Sequence, residues 1–130
     1  IIRNDFDISN ILTHREYFQD VVTDNYASGG NWYDSDIDLL NELMIYGSTI
    51  YAPAKTNTIN SHIVTIDKTQ LALFRMRPDL IIAFNDSKRT GYWLRDVANN
   101  MGFIAINNEG LTSSYYSVDW YGVRPAFLVY

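Results

Sequence analysis

Tyr92-Trp93-Leu94-Arg95 and Gly122-Val123-Arg124-Pro125-Ala126-Phe127 are the two stretches that decide how this chain is read. Each combines stiff aromatic or apolar residues with an arginine. Residues 96–121, between them, have another character: Asn, Ser, Tyr and Asp recur, and Trp120 stands near the end. Rigid blocks bracketing an adaptable polar and aromatic stretch suit a binding face. Tyr and Trp give contact area at small entropic cost, while Ser and Asn adapt their hydrogen bonds.

Working outward, Tyr92–Val97 and Phe103–Ile106 read as strands, joined onward by an Asn107-Asn108-Glu109-Gly110 turn. A final strand is expected over Val123–Tyr130, with Pro125 where the ladder is one-sided, because proline has no amide hydrogen. Upstream, His62–Ile66, Leu71–Met76 and Leu80–Phe84 are apolar runs of strand length, and 52–62 is a polar loop. Two helices are expected before these. The first covers 9–22, with a capping-box spacing at Thr13 and Glu16 and an apolar face of Tyr17, Phe18, Val21 and Val22. Ser28-Gly29-Gly30 then marks Asp24–Asn31 as a loop. The second helix is capped by Ser35, carries Asp36 and Asp38 in its first turn, and ends at Gly47. Ile37, Leu39, Leu40, Leu43, Met44 and Tyr46 form its apolar half, and Asp38, Asn41 and Glu42 its polar half. Helices followed by strands give an α+β class and a single domain over 1–130. Because the chain starts at Ile1 rather than Met, we read it as the C-terminal part of a longer protein.

Composition narrows the function. A net charge of −5 with scattered basic residues speaks against nucleic acid, which needs clustered Lys and Arg. The absence of cysteine removes disulfides and thiolate chemistry. No apolar run approaches the ~20 residues of a membrane span, so no membrane insertion is expected. His14 and His62 have ordinary surface neighbourhoods in the sequence. Asp34, Asp36 and Asp38 start like a calcium loop, yet Leu39 and Ile45 stand where glycine and a carboxylate are needed, and helix capping accounts for these acids. Ser113, Ser114 and Ser117 lack a nucleophile elbow. Asp96, Glu109 and Asp119 read as acids of the surface segment. No catalytic residue, metal or cofactor is therefore expected. The expected binding residues are Asn107, Asn108, Ser113, Tyr115, Tyr116, Asp119 and Trp120, the aromatics as anchors and the rest as adaptable hydrogen-bonding groups.

The two blocks together, with the Trp32…Ser35-Asp36…Leu39-Leu40-Asn41-Glu42 segment before them, resemble the C-type-lectin-like domains of bacterial surface and phage proteins with a YWLR…GVRPAF signature. The resemblance covers about residues 32–130. It implies a fold with two helices and a small, mostly antiparallel sheet, on a virion or cell surface, contacting a host-surface protein or glycan. The alternative it leaves is a capsid or tail decoration whose same face meets a second copy or other virion proteins. Trp93 would fill the core, and Arg95 and Arg124 would bond buried carbonyls or acids. The calcium-dependent sugar motifs of true C-type lectins, Glu-Pro-Asn and Trp-Asn-Asp, do not occur here. Some relatives are diversified by retroelements. Asn99, Asn100, Ile104, Ile106, Asn107, Asn108, Ser113, Ser114, Tyr115, Tyr116 and Asp119 fit the residue palette of that process, as outward positions on strands would.

Overall fold

The structure, a computed structural model, describes residues 10–23, 26–48, 50–51, 70–99 and 101–129. The expected loop 52–62, the strand His62–Ile66 and Asn100 lie outside them. The order of elements is β1 (Ile11–Leu12), β2 (His14–Thr23), β3 (Tyr26–Ser35), β4 (Asp38–Leu39), α1 (Glu42–Tyr46), α2 (Ala72–Met76) and a 3-10 helix (Pro78–Ile81). There follow β5 (Ala83–Asn85), β6 (Lys88–Thr90), β7 (Tyr92–Asn99), β8 (Gly102–Ile106), β9 (Thr112–Tyr116), β10 (Gly122–Val123), β11 (Pro125–Ala126) and β12 (Leu128–Val129). The class is α+β, with more strand than helix.

The central sheet has the order β10-β7-β8-β9. Its β7–β8 and β8–β9 pairs are antiparallel, and β10 runs parallel to β7 with Gly122 opposite Tyr92. The two sequence blocks are thus neighbours in space. Four antiparallel ribbons surround this sheet: β2–β3, β5–β6, β4–β11 and β1–β12.

Several expectations need correction. Of the helix expected over 9–22, the described residues 10–22 are not α-helical. They supply β1 and most of β2, which pairs along its length with β3, and the stretch read as a glycine loop lies largely in β3. Tyr17, Phe18, Val21, Val22 and Thr23 are aromatic or β-branched, the types that fit a pleated ladder. The register shifts between Phe18 and Val22, opposite Gly29, where glycine tolerates the distortion of a bulge. The helix expected from Ser35 to Gly47 is shorter. Asp38 and Leu39 pair with Ala126 and Pro125 in a ribbon, so the cap moves to Asn41, whose Oδ1 accepts the Met44 N–H at 2.7 Å. Its end is as expected: Gly47 is left-handed, φ 77°, and donates to the Leu43 carbonyl. Leu71–Met76 gives α2 instead of a strand, and Leu80–Phe84 is split between the 3-10 helix and β5. Pro78 opens that 3-10 helix, where its fixed φ is pre-organised. The final strand is three two-residue pieces with three different partners, broken around Pro125.

The core joins both helices to the sheet. Leu40, Met44 and Ile45 meet Phe74, Tyr92, Leu94, Ile104 and Ile106. Ile104 and Ile106 are therefore not outward positions open to diversification. Nor is the polar half of the expected helix on the surface: Asp38, Asn41 and Glu42 are all buried. The Glu42 carboxylate accepts the Thr112 hydroxyl at 2.7 Å, the Ile50 N–H at 2.9 Å and the Tyr51 N–H at 3.0 Å. Its own N–H donates to Asp96 Oδ2 at 2.6 Å. One side chain thus ties α1 to residues 50–51 and to β9. Glu42→Ala would strand these donors, at about 1–3 kcal/mol for each one left buried. We expect urea unfolding to show a loss of about 3–5 kcal/mol, and a smaller loss for Glu42→Gln, which keeps an acceptor oxygen.

Candidate functional site

Alternation along β7 sorts its side chains between the two faces of the sheet. Tyr92 and Leu94 enter the core, so Trp93 points to the other face and is only half-buried. This corrects the expectation that Trp93 fills the core. On the outer face the register sets Trp93 beside Ala105, Ala105 beside Ser113, and Phe103 beside Tyr115. The Trp93 ring meets Phe103 edge-on at 6.5 Å and Tyr121 at 5.1 Å, and Tyr121 lies 4.7 Å from Tyr115. Four aromatic rings thus form a continuous platform. Tyr121 can lie there because residue 91 is glycine: a Cβ would stand 2.3 Å from the Tyr121 ring and 2.6 Å from the Ile106 carbonyl oxygen.

The structure distributes the expected binding residues unevenly. Ser113 and Tyr115 lie on the outer face. Tyr116, next along the strand and 60% exposed, points to the opposite face. Asp119 and Trp120 follow in the β9–β10 connection, where Asp119 is occupied in shaping the chain. Its Oδ2 accepts the Tyr116 N–H at 3.0 Å and its N–H donates to the Tyr116 carbonyl at 2.9 Å. Trp120 is 100% exposed, with Val118 at 81% and Val123 at 71% near it in the chain. The exposed Met101 adjoins this segment through its carbonyl, which accepts the Ser117 N–H. Asn107 and Asn108 are elsewhere, in the β8–β9 turn just beyond the Ile106–Thr112 pair, while Tyr116 stands at the other end of β9 opposite Gly102. Asn107 builds that turn, its Oδ1 accepting the N–H groups of Glu109 and Leu111. Among the described residues Ser113 and Tyr115 share the outer face of β9, Tyr116 stands at the end of that strand with Asp119 bonded to it, Trp120 follows in the connection to β10, and Asn107 and Asn108 lie in the β8–β9 turn.

Trp93, Phe103 and Tyr121 belong to the platform and were missed as binding residues. The signal was present in the alternation of Tyr92-Trp93-Leu94, which sends one of three neighbours outward.

Charged side chains inside the molecule form a second constellation. His14 Nε2 lies 2.9 Å from Asp38 Oδ2 and 3.9 Å from Glu16 Oε2. Arg95 Nη2 bonds Glu16 Oε1 at 3.1 Å, and Ser35 donates to Asp38. His14 is thus an inner residue and not a surface one, while Arg95 bonds an acid as expected. The donor atoms of His14, Glu16 and Asp38 all lie within 4.8 Å of one another, a metal-ligand spacing. They are engaged instead with each other and with Arg95, whose guanidinium a cation would have to displace. Asp38, read as a helix acid, belongs to this constellation, whereas Asp36 accepts the Thr13 hydroxyl at 2.6 Å on the exposed surface.

Asp96 is also buried, contrary to its reading as a surface acid. Burial pushes its pKa from the ordinary 3.8 up to about 7, the nearby Glu42 charge adding to the effect while the Glu42 N–H and Arg95 oppose it. No helix of the described residues is long and apolar enough to cross a membrane. Comparison with protein-family models, curated proteins and solved structures finds no match for this chain.

Two outcomes are expected. Gly91→Ala should push Tyr121 off the platform and lower stability by about 1–3 kcal/mol, read by urea unfolding and by the loss of ring-current shifts on Trp93. For Asp96, the folded state keeps a proton that the unfolded state has released, so its contribution to stability falls as pH rises from about 4 to about 7. Asp96→Asn retains an acceptor for the Glu42 N–H. It should leave Tm little changed near pH 5 and raise it near pH 8 relative to the parent; parallel Tm-against-pH curves would contradict this.

Proposed function

We propose that this chain is a non-catalytic recognition domain of the C-type-lectin-like type, on a virion or bacterial surface, that meets a host-surface protein or glycan. Contact is made through the aromatic platform and the 116–123 segment beside it. The observation that carries this reading is Trp120, wholly exposed within a run that also exposes Tyr116, Val118 and Val123. Large apolar groups gathered on a surface mark contact sites, and Trp and Tyr dominate the energetics of such contacts. The C-type-lectin-like assignment and the surface setting are supported by the resemblance carried by the Tyr92–Arg95 and Gly122–Phe127 blocks, whose first residues pair, Gly122 with Tyr92 and Val123 with Trp93.

The test is the double variant Tyr116→Ala, Trp120→Ala, applied as labelled protein to a panel of bacterial cells and to a glycan array. Both side chains are exposed, so stability should shift by less than about 0.5 kcal/mol. Binding should weaken by about tenfold or more. Unchanged binding would place the site elsewhere. The wholly apolar character of Val118, Trp120 and Val123 also fits a contact between subunits. A stable oligomer in light scattering that the double variant dissolves would show that this face serves assembly.

A further inference from the structure

A cavity of about 560 Å³ opens between the β5–β6 ribbon and the β10–β11 segment. Its walls include Leu80, Ile82, Phe84, Thr90, Val123 and Arg124. The size is within the ~300–1,000 Å³ usual for small-molecule sites. What distinguishes it is the state of Arg124. The guanidinium carbon sits 5.2 Å from the ring centres of both Phe74 and Tyr92. One nitrogen, Nη1, donates to the Leu80 carbonyl at 2.7 Å and approaches the Tyr92 hydroxyl at 3.4 Å. Nε and Nη2 have no protein partner among the described residues, yet they are not sealed from solvent. No described Asp or Glu forms an ion pair with this side chain, whereas Arg15, Arg77 and Arg95 each have one.

A half-buried guanidinium, near two aromatic rings and without a counter-ion among the described residues, presents a fork of donors to the cavity. That fork matches a carboxylate, which can accept two parallel N–H bonds. The rest of the wall matches a sugar ring: Thr90 and Asn85 offer hydroxyl and amide groups, and Phe84, 62% exposed, offers an aromatic face. We infer that this cavity binds an acidic monosaccharide unit, its carboxylate on Arg124 and its ring against Phe84. The cavity shares Val123 with the proposed recognition segment but is lined by neither Tyr116 nor Trp120, so its test does not depend on that reading.

The experiment is an NMR titration of the whole chain with glucuronate, with N-acetylneuraminate, and with glucose, methyl glucuronate ester and acetate as controls. Glucuronate or N-acetylneuraminate should shift the amides of Phe84, Thr90 and Val123, and bind about tenfold or more tightly than the neutral sugars, since a charge-assisted pair is lost in those controls. Whichever acid binds more tightly identifies the sugar family. Arg124→Lys should weaken binding about tenfold by removing the fork. Arg124 also braces Leu80, so Phe84→Ala, at an exposed ring, provides a second variant and should weaken sugar binding while the fold is kept. Tyr116→Ala, Trp120→Ala should leave this binding unchanged. Equal shifts with glucose, equal affinity for acetate, or no shift at these amides with either acid at millimolar concentration would each overturn the assignment.

Discussion

A buried carboxylate, that of Glu42, organises the described part of this molecule. Taking a carboxylate out of water costs several kcal/mol unless its lone pairs are filled. Here the Thr112 hydroxyl and the N–H groups of Ile50 and Tyr51 fill them. The same residue gives its own N–H to Asp96. Helix α1 is only five residues long and would not persist alone in water. Its first turn is held by Asn41 and Asp96, its end by Gly47, and its carboxylate by β9 and residues 50–51. These bonds fix the helix against the sheet, and the apolar contacts of Met44 and Ile45 then follow.

Other parts depend on that arrangement. Once α1 and the core residues cover one face of β7 and β8, the alternation of side chains leaves Trp93, Phe103 and Tyr115 on the other. The β2–β3 ribbon is joined to β7 by Arg95 and Glu16, and to β4 by His14 and Asp38. The three short closing strands act as clasps: β10 extends the central sheet, β11 holds β4 and β12 holds β1. Arg124 sits between two of these clasps, braced by Leu80, which accounts for both its fixed position and its access to the neighbouring cavity.

The sequence was most legible where local pattern and tertiary role agree. Strands β7 and β8, the Asn107–Gly110 turn and the end of α1 at Gly47 could all be read from alternation and turn chemistry. The roles of Arg95 and Arg124 were legible too, as the resemblance suggested them. It was least legible where a distant partner overrides local preference. Residues 9–22 carry a helical spacing and a capping-box pattern, but Glu16 is taken by Arg95, 79 residues away. Asp38, Asn41 and Glu42 look like a solvated helix face, and only the fold shows that each meets a buried partner. The proposed binding segment was half legible: Tyr115, Tyr116 and Trp120 were read from it, while Trp93 comes from a block read as frame and Tyr121, inside residues 96–121, was not singled out. Asn107 and Asp119 looked like adaptable contacts because turn-building Asn and Asp are the same residues that serve binding faces.

The Glu42–Asp96 centre holds the fold together. Amide hydrogen exchange, followed by NMR at Glu42, Tyr51 and Arg95, tests it most directly. If the centre is the structural anchor, the Glu42 and Arg95 amides should exchange only through global unfolding, with the free energy that urea denaturation reports, and Tyr51 should show clear protection. Exchange of Glu42 at rates near those of exposed amides, while the core strands remain protected, would contradict it.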